Sequence, residues 1–275
     1  MTEASKVTNY RERLGLIAGF GVLPFIFARE IKNFDLYIAG FKKFTPKKLG
    51  KYSRTINFFD LGDLEGIIKF FKTNSVEKIL LLGYVPHQIL TSQKYKLDLT
   101  ALKMFSKIKS NTAMNIFDGL LKEFAEENIF IEPIDKYLPN MFAVSGLMTE
   151  DPLDKDEIEN IQFGYTIAKE VAKLDIGLTV VVKNKVIVAI EALEGTDRCI
   201  LRSKKLAGDK CIVVKVARPN QDARFDLPVI GPRTVKVLKK AKVKILAVEK
   251  NKTLIIDKQN VIKKLNDSGI KLYGI

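Results

Sequence analysis

The chain lacks most of what small stapled or membrane-spanning proteins depend on. Its only cysteines are Cys199 and Cys211, which form no Cys-x-x-Cys pair and no cluster with the single His87. A disulfide framework or a structural zinc site is therefore excluded as the basis of the fold. Tryptophan is absent, which removes the best stacking platform for single-stranded nucleic acid. No stretch approaches the ~20 apolar residues of a membrane span. The lead-in MTEASKVTNYRER has no apolar core of a secretory signal. These absences read as a reducing, cytoplasmic compartment. Acids are also scarce: 32 Asp plus Glu face 46 Lys plus Arg, a formal charge of +14. Such an excess favours anionic partners, whether nucleic acid, nucleotides or phospholipid surfaces.

What is present is ordinary for a globular protein: 275 residues, 47% hydrophobic and 28% charged. That length suggests about two domains, each able to bury a core without staples. Residues 1–13 read as a flexible lead-in. Leu14–Ala18, Asp35–Ala39 and Lys78–Leu82 are apolar runs that read as buried parallel strands. Helices are expected from Pro24 and over Leu64–Phe71, giving a βαβ pattern at 14–132. Two further helices are expected within 97–126, and a short strand at Ile129–Ile131. Pro133, Pro139, Gly146 and Pro152 mark 133–152 as a linker. Beyond it, 153–275 reads as a second α/β domain. It opens with a helix over Asp154–Lys173, and Asn184–Lys185 joins two β-branched runs as a hairpin. Cys211–Val216 is a further strand, a helix is expected at Thr234–Ala241, and strands follow at Ile245–Val248 and Thr253–Ile256. A helix at Asp257–Asp267 and a strand at Lys271–Tyr273 complete the pattern. The expected class is α/β: a Rossmann-like N-terminal domain with a parallel sheet, then a C-terminal α/β catalytic domain.

Three segments carry chemistry. Gly19-Phe20-Gly21-Val22-Leu23-Pro24 directly follows the first strand. It resembles the opening of a dinucleotide fingerprint, but Pro24 replaces the third glycine and no acid closes the second strand. What survives is a glycine turn that lets a ligand approach, and a helix N-terminus offering N–H groups to negative charge. The plain alternative is a tight turn. The second segment, Glu191-Ala192-Leu193-Glu194-Gly195-Thr196-Asp197, ends a strand and opens a helix. Gly195 makes room for a phosphate and Thr196 adds a hydroxyl, although Thr196 could simply be a helix cap. In the third, Gln221-Asp222-Ala223-Arg224-Phe225-Asp226-Leu227-Pro228, an extended backbone would put Asp222, Arg224 and Asp226 on one face. Carboxylates suit Mg²⁺ and arginine suits phosphate; the plain alternative is a structural ladder of ion pairs.

Lysine is concentrated at 42–54 and at 232–275. Both runs can be solvated surface, or attraction to an anionic membrane. No nucleic-acid recognition motif accompanies them. His87 reads as solvent-facing just past a strand end, and Cys199 as a small buried residue in a helix.

Together the three segments resemble the UDP-2,3-diacylglucosamine pyrophosphatases of the LpxI type, enzymes of lipid A biosynthesis. The resemblance rests on LGLIAGFGVLP at 14–24, LDIGLTVVVKNKVIVAIEALEGTD at 174–197 and QDARFDLPVIG at 221–231. Phe20 stands where the family has a further glycine, and Tyr84 and His87 depart from its Asn-containing turn. The resemblance implies a lipid-linked substrate between two domains. It also implies Mg²⁺-dependent attack of water on the α-phosphorus, yielding UMP and 2,3-diacylglucosamine 1-phosphate. On that basis Asp226 is the essential carboxylate, with Asp222 and Arg224 in the catalytic set. Asp226, Asp222, Asp197 and Glu194 are the expected Mg²⁺ ligands. Gly21, Val22, Leu82, Gly83, Thr196, Lys215 and Gln221 are the expected substrate contacts, with Lys215 and Arg224 on phosphate oxygens. Peripheral contact with an anionic inner-membrane surface fits such a substrate. The alternatives are a nucleotide-cofactor oxidoreductase, suggested by Gly19 and Gly21, and a non-catalytic basic module for membranes or nucleic acid.

Overall fold

The computed structural model describes residues 11–84, 96–108, 113–219, 222–225 and 227–275. His87, Gln221 and Asp226 lie outside the described residues. The chain divides into two units between Tyr137 and Leu138.

The first unit is built from β1 (Glu12–Ala18), α1 (Leu23–Glu30), β2 (Phe34–Phe41), β3 (Thr55–Phe59), α2 (Leu64–Thr73), β4 (Lys78–Leu82), α3 (Leu99–Lys107), α4 (Ala113–Glu126) and β5 (Phe130–Ile131). All pairs are parallel, in the order β3-β2-β1-β4-β5. The apolar runs behave as their composition demands: Leu14, Leu16, Ile38, Ile79 and Leu80 are all but fully buried. Strand β3 was not expected. Its sequence, TINFF, is a half-buried edge with no continuous apolar run. The order reverses direction at β1, so connections leave toward β2 on one side while β4 flanks the other. In such sheets ligands bind beyond the carboxyl ends of the strands at that point.

The second unit contains β6 (Gly146–Leu147), α5 (Lys155–Lys173), β7 (Thr179–Lys183), β8 (Val186–Ile190), α6 (Thr196–Ala207), β9 (Ile212–Lys215), β10 (Val229–Ile230), α7 (Pro232–Ala241), β11 (Ile245–Val248), β12 (Leu254–Ile255), α8 (Lys258–Asn266) and β13 (Lys271–Gly274). Its main sheet runs β6-β13-β11-β9-β7-β8. The three middle neighbours β13, β11 and β9 are parallel; β6, β7 and β8 join antiparallel. The hairpin turn at Asn184–Lys185 has both residues at positive φ, 51° and 57°, as a twist-matched two-residue turn requires. Side chains alternate across the sheet. Val180, Val182, Ile212 and Val214 pack with Ile161 and Ala168 of α5, whereas Val181, Val213, Leu246 and Val248 pack with Ile200, Leu238 and Leu265 of α6, α7 and α8. The segment read as a linker is in part built into this unit. Ala143 N–H donates to Thr253 O and Met148 N–H to Leu272 O, both at 2.9 Å.

Helix α5 is anchored by Glu157. Asp154 caps the helix and Glu157 reaches back to the Asp154 N–H, a reciprocal capping box. The same buried carboxylate takes Lys271 at 2.7 Å and Lys244 at 2.8 Å, from β13 and the approach to β11. Burial pushes its pKa up, but the two lysines and the Asp154 N–H outweigh burial and leave it below the usual glutamate range. The ionised form therefore stabilises the fold at neutral pH. That contribution fades as the pH falls through and below the ordinary glutamate pKa, ~4.3. Among the described residues, removing the charge leaves Lys271 with only the Pro152 carbonyl and Lys244 with only the more distant Asp154 carboxylate. We expect Glu157→Gln to lower unfolding free energy by about 2–4 kcal/mol at pH 7. The loss should shrink in acid, as read by urea denaturation across pH.

Candidate active site

The second unit's site begins with an ammonium on an aliphatic face. Lys215 is the last residue of β9 and shares the parity of Val213, so it projects toward α6; it is 8% exposed. A buried cation needs acceptors. Lys215 Nζ lies 3.0 Å from Thr196 Oγ1 and 3.5 Å from Thr179 Oγ1. Thr196 Oγ1 donates in turn to Glu191 Oε1 at 2.8 Å. The other Glu191 oxygen is buried with no partner among the described residues. The cap of α6 is Gly195, at φ 79°, and Thr196 is the first helical residue. Its hydroxyl is thus engaged in the relay and does not cap the helix. A Cβ on Gly195 would meet nothing within 4 Å, so the head of α6 is open for an approaching anion.

The carboxyl ends of β9 and β11 are tied together beside this relay. Glu249, just past β11, accepts from Ala217 N–H at 2.9 Å, Lys169 Nζ at 3.0 Å and Lys252 Nζ at 2.8 Å. Burial raises its pKa, and these donors more than reverse that. Ala217 begins the segment that leads to the 221–231 motif, so Glu249 and Lys169 fix its root. Neither residue was singled out in the sequence, where 80 positions separate them.

The structure corrects the reading of the motif itself. Residues 222–225 form a turn, not an extended strand: Phe225 N–H bonds to Asp222 O at 3.1 Å. Asp222 Oδ1 accepts from the Arg224 N–H at 2.9 Å, and its carboxylate takes Arg224 Nη2 at 2.6 Å and Nε at 2.9 Å. The one-face alternation of Asp222 and Arg224 is thereby replaced by a local bidentate pair, because an aspartate can bond its own backbone two residues on. Arg224 holds Asp222 below the usual carboxylate range.

Two of the other expected metal ligands, Glu194 and Asp197, are likewise matched to arginines. Glu194 pairs with Arg202 at 2.5 Å and Asp197 with Arg233 at 2.8 Å. Among the described residues no three His, Cys, Asp or Glu converge as a metal-binding group. A Mg²⁺ ion held by Asp222, Glu194 and Asp197 would have to compete with their arginine partners or draw further ligands from substrate phosphates. Cys199 is fully buried in α6, its thiol pushed up to about 11 by burial, consistent with a packing role.

In the first unit the loops after β1 and β4 meet at the switch point. Phe20 and Tyr84 exchange backbone hydrogen bonds at 2.9 Å and their rings pack edge to face at 5.2 Å. Gly19 N–H bonds to Leu82 O at 2.8 Å. Gly83 thus packs against Gly19 and Phe20 at the strand ends, with Gly21 and Val22 next along the chain and exposed, while the Leu82 side chain is buried in the core. The α1 N-terminus offers fewer amides than expected: Pro24 has none, and Phe25 N–H turns back to Val22 O at 3.1 Å. Strand β2 ends at Gly40-Phe41, with no acid for a ribose hydroxyl, which leaves the dinucleotide reading without its partner residue.

Two family models match the chain: the LpxI N-terminal domain over residues 13–141 and the LpxI C-terminal domain over 144–273. The chain belongs to the LpxI family. The resemblance read from residues 14–24, 174–197 and 221–231 is borne out at that level. A relative named UDP-2,3-diacylglucosamine pyrophosphatase LpxI, from Caulobacter vibrioides, is 25% identical over 96% of this chain and 97% of its own length.

Gly83 is the tightest glycine of the switch-point loops in this LpxI-family chain. It sits at φ 89°, and a Cβ there would lie 2.7 Å from Phe20 O. We expect Gly83→Ala to cost about 1–3 kcal/mol, measured by chemical denaturation, because both strain and clash fall on backbone.

Proposed function

We propose that this chain is a hydrolase acting on UDP-2,3-diacylglucosamine in lipid A synthesis. It cleaves the diphosphate by attack of water on the α-phosphorus, giving UMP and 2,3-diacylglucosamine 1-phosphate. Membership of the LpxI family, and the name of a relative aligned end to end, support the substrate class. The observation that carries the reading is the buried Lys215 at the head of α6, locked to Thr196. A diphosphate in hydrolysis needs its equatorial oxygens neutralised in the transition state. Lys215 and the α6 N-terminus supply positive charge from fixed positions, so little reorganisation is required when charge develops. Gly195 leaves room for the phosphate to come close.

Glu191 orients the Thr196 hydroxyl and offsets the charge of Lys215, holding the pair in one geometry. Arg224 already donates two of its nitrogens to Asp222. It would serve phosphate by exchanging that partner. Asp226 is assigned as the catalytic carboxylate that orients the attacking water. The Mg²⁺ requirement implied by the resemblance would accompany the diphosphate itself, since Mg²⁺ commonly binds through one or two carboxylates plus substrate phosphates. The oxidoreductase alternative lacks both its third glycine and its acid.

Two outcomes test the reading. Release of UMP from the lipid substrate in detergent micelles should require Mg²⁺ and stop in EDTA. Asp226→Asn should lower kcat by at least about 100-fold, and Lys215→Ala should lower kcat/KM by about 10²–10³, with unfolding midpoints measured in parallel. Near-normal turnover by a folded Asp226→Asn would sink the assignment, and binding of NADH would revive the oxidoreductase.

A further inference from the structure

The outer surface of α6 and α7 is densely basic. The two helices run side by side in the same direction: Arg233 meets Asp197 in their first turns at 2.8 Å, and Lys204 Nζ meets Lys240 O in their last at 3.0 Å. Asp197 is the only acid within either helix. Glu194 and Asp209, which flank α6, are already paired with Arg202 and with Lys204 and Lys242. Arg198, Lys205, Lys210, Lys236, Lys239 and Lys240 are exposed and have no carboxylate partner among the described residues.

Cations in a last turn can be there for the helix dipole, and Lys205, Lys239 and Lys240 satisfy that explanation. Arg198 does not: it lies in the first turn of α6, where the dipole disfavours a cation. With Leu201, Arg202 and Lys205 it forms a stripe at spacings of three and four, which lines a shallow groove together with Glu194. Two apolar side chains bracket the stripe. Leu206, one turn beyond Arg202, is 63% exposed, and Leu193, in the β8–α6 loop, is fully exposed.

We infer that this shared α6–α7 face docks on an anionic phospholipid surface. Cations supply the attraction to headgroups and the exposed leucines the apolar contact at the acyl boundary. Nucleic acid has the same charge but no use for exposed leucines, and neither helix carries an aromatic residue for stacking on bases. No helix among the described residues is long and apolar enough to cross a membrane, so contact through them would be peripheral. Leu193 lies in sequence between Glu191 and Thr196. Docking would thus bring the phosphate-holding loop to the surface from which a lipid-linked substrate comes. In that respect the inference extends the activity proposed above.

The test is co-sedimentation of the full chain with phosphatidylcholine vesicles, with and without phosphatidylglycerol. Wild type should pellet only with the anionic vesicles, less so as salt shortens the Debye length. K236E/K239E/K240E on α7, and separately K205E/K210E at the far end of α6, should weaken binding by at least about tenfold. UMP release in detergent micelles should be unchanged, and thermal melts show whether each variant is folded. Binding indifferent to phosphatidylglycerol, binding equal in wild type and folded variants, or a preference for duplex DNA over vesicles would overturn the inference. Vesicle binding without any UMP release by wild type would support the docking face while removing the activity.

Discussion

The head of α6 is organised around one ammonium group on the wrong side of a β-sheet. The face of β9 that meets α6 is otherwise aliphatic, and Lys215 interrupts it at the strand's last position. An unsolvated ammonium there would be untenable, so polar atoms must be brought to it. Thr179 comes from the neighbouring strand and Thr196 from the helix above. Thr196 then needs an acceptor of its own, which Glu191 provides. The placement of three side chains from three elements follows from the burial of a fourth. Thr179 is fully buried while Thr196 and Glu191 are half-buried, so the relay runs from the core toward the surface.

The acids around that relay are distributed by a different logic. Glu194, Asp197 and Asp222 each stand beside an arginine, and Glu249 holds two lysines and a backbone amide. These carboxylates are thereby neutralised in place. Positive potential is preserved at the helix head, and the loop bearing the 221–231 motif is pinned at its root.

Much of this was legible in the sequence, for identifiable reasons. Buried parallel strands announce themselves as continuous apolar runs, which is why β1, β2 and β4 were expected where they occur. The Asn184–Lys185 hairpin followed from turn chemistry. Strand β3 escaped because an edge strand half open to solvent has no such run. The 221–231 motif was recognised, yet its local shape was misread: alternation assumes an extended backbone, and the Asp222 side chain imposes a turn. Thr196 was weighed as a cap, a role that Gly195 takes through its positive φ. The Lys169–Glu249 contact was beyond reach, because nothing in local pattern pairs residues that far apart. Glu191 lay inside a segment already singled out, but which of its three carboxylates would meet Thr196 depended on where the strand ends and the helix begins.

Strand β13 sits between β11 and β6, and this has a consequence for how the protein is made. The first unit contains every strand of its sheet before Leu138, so it can fold while the remainder is still being synthesised. The second unit cannot. β6 pairs with β13 across more than a hundred intervening residues, and Glu157 of α5 waits on Lys271 of the same strand. Until β13 emerges, β11 presents a bare edge and β6 has no partner in the sheet, the condition in which strands find the wrong neighbours. The half of the molecule that carries the proposed chemistry is thus the half most dependent on timely completion of the chain.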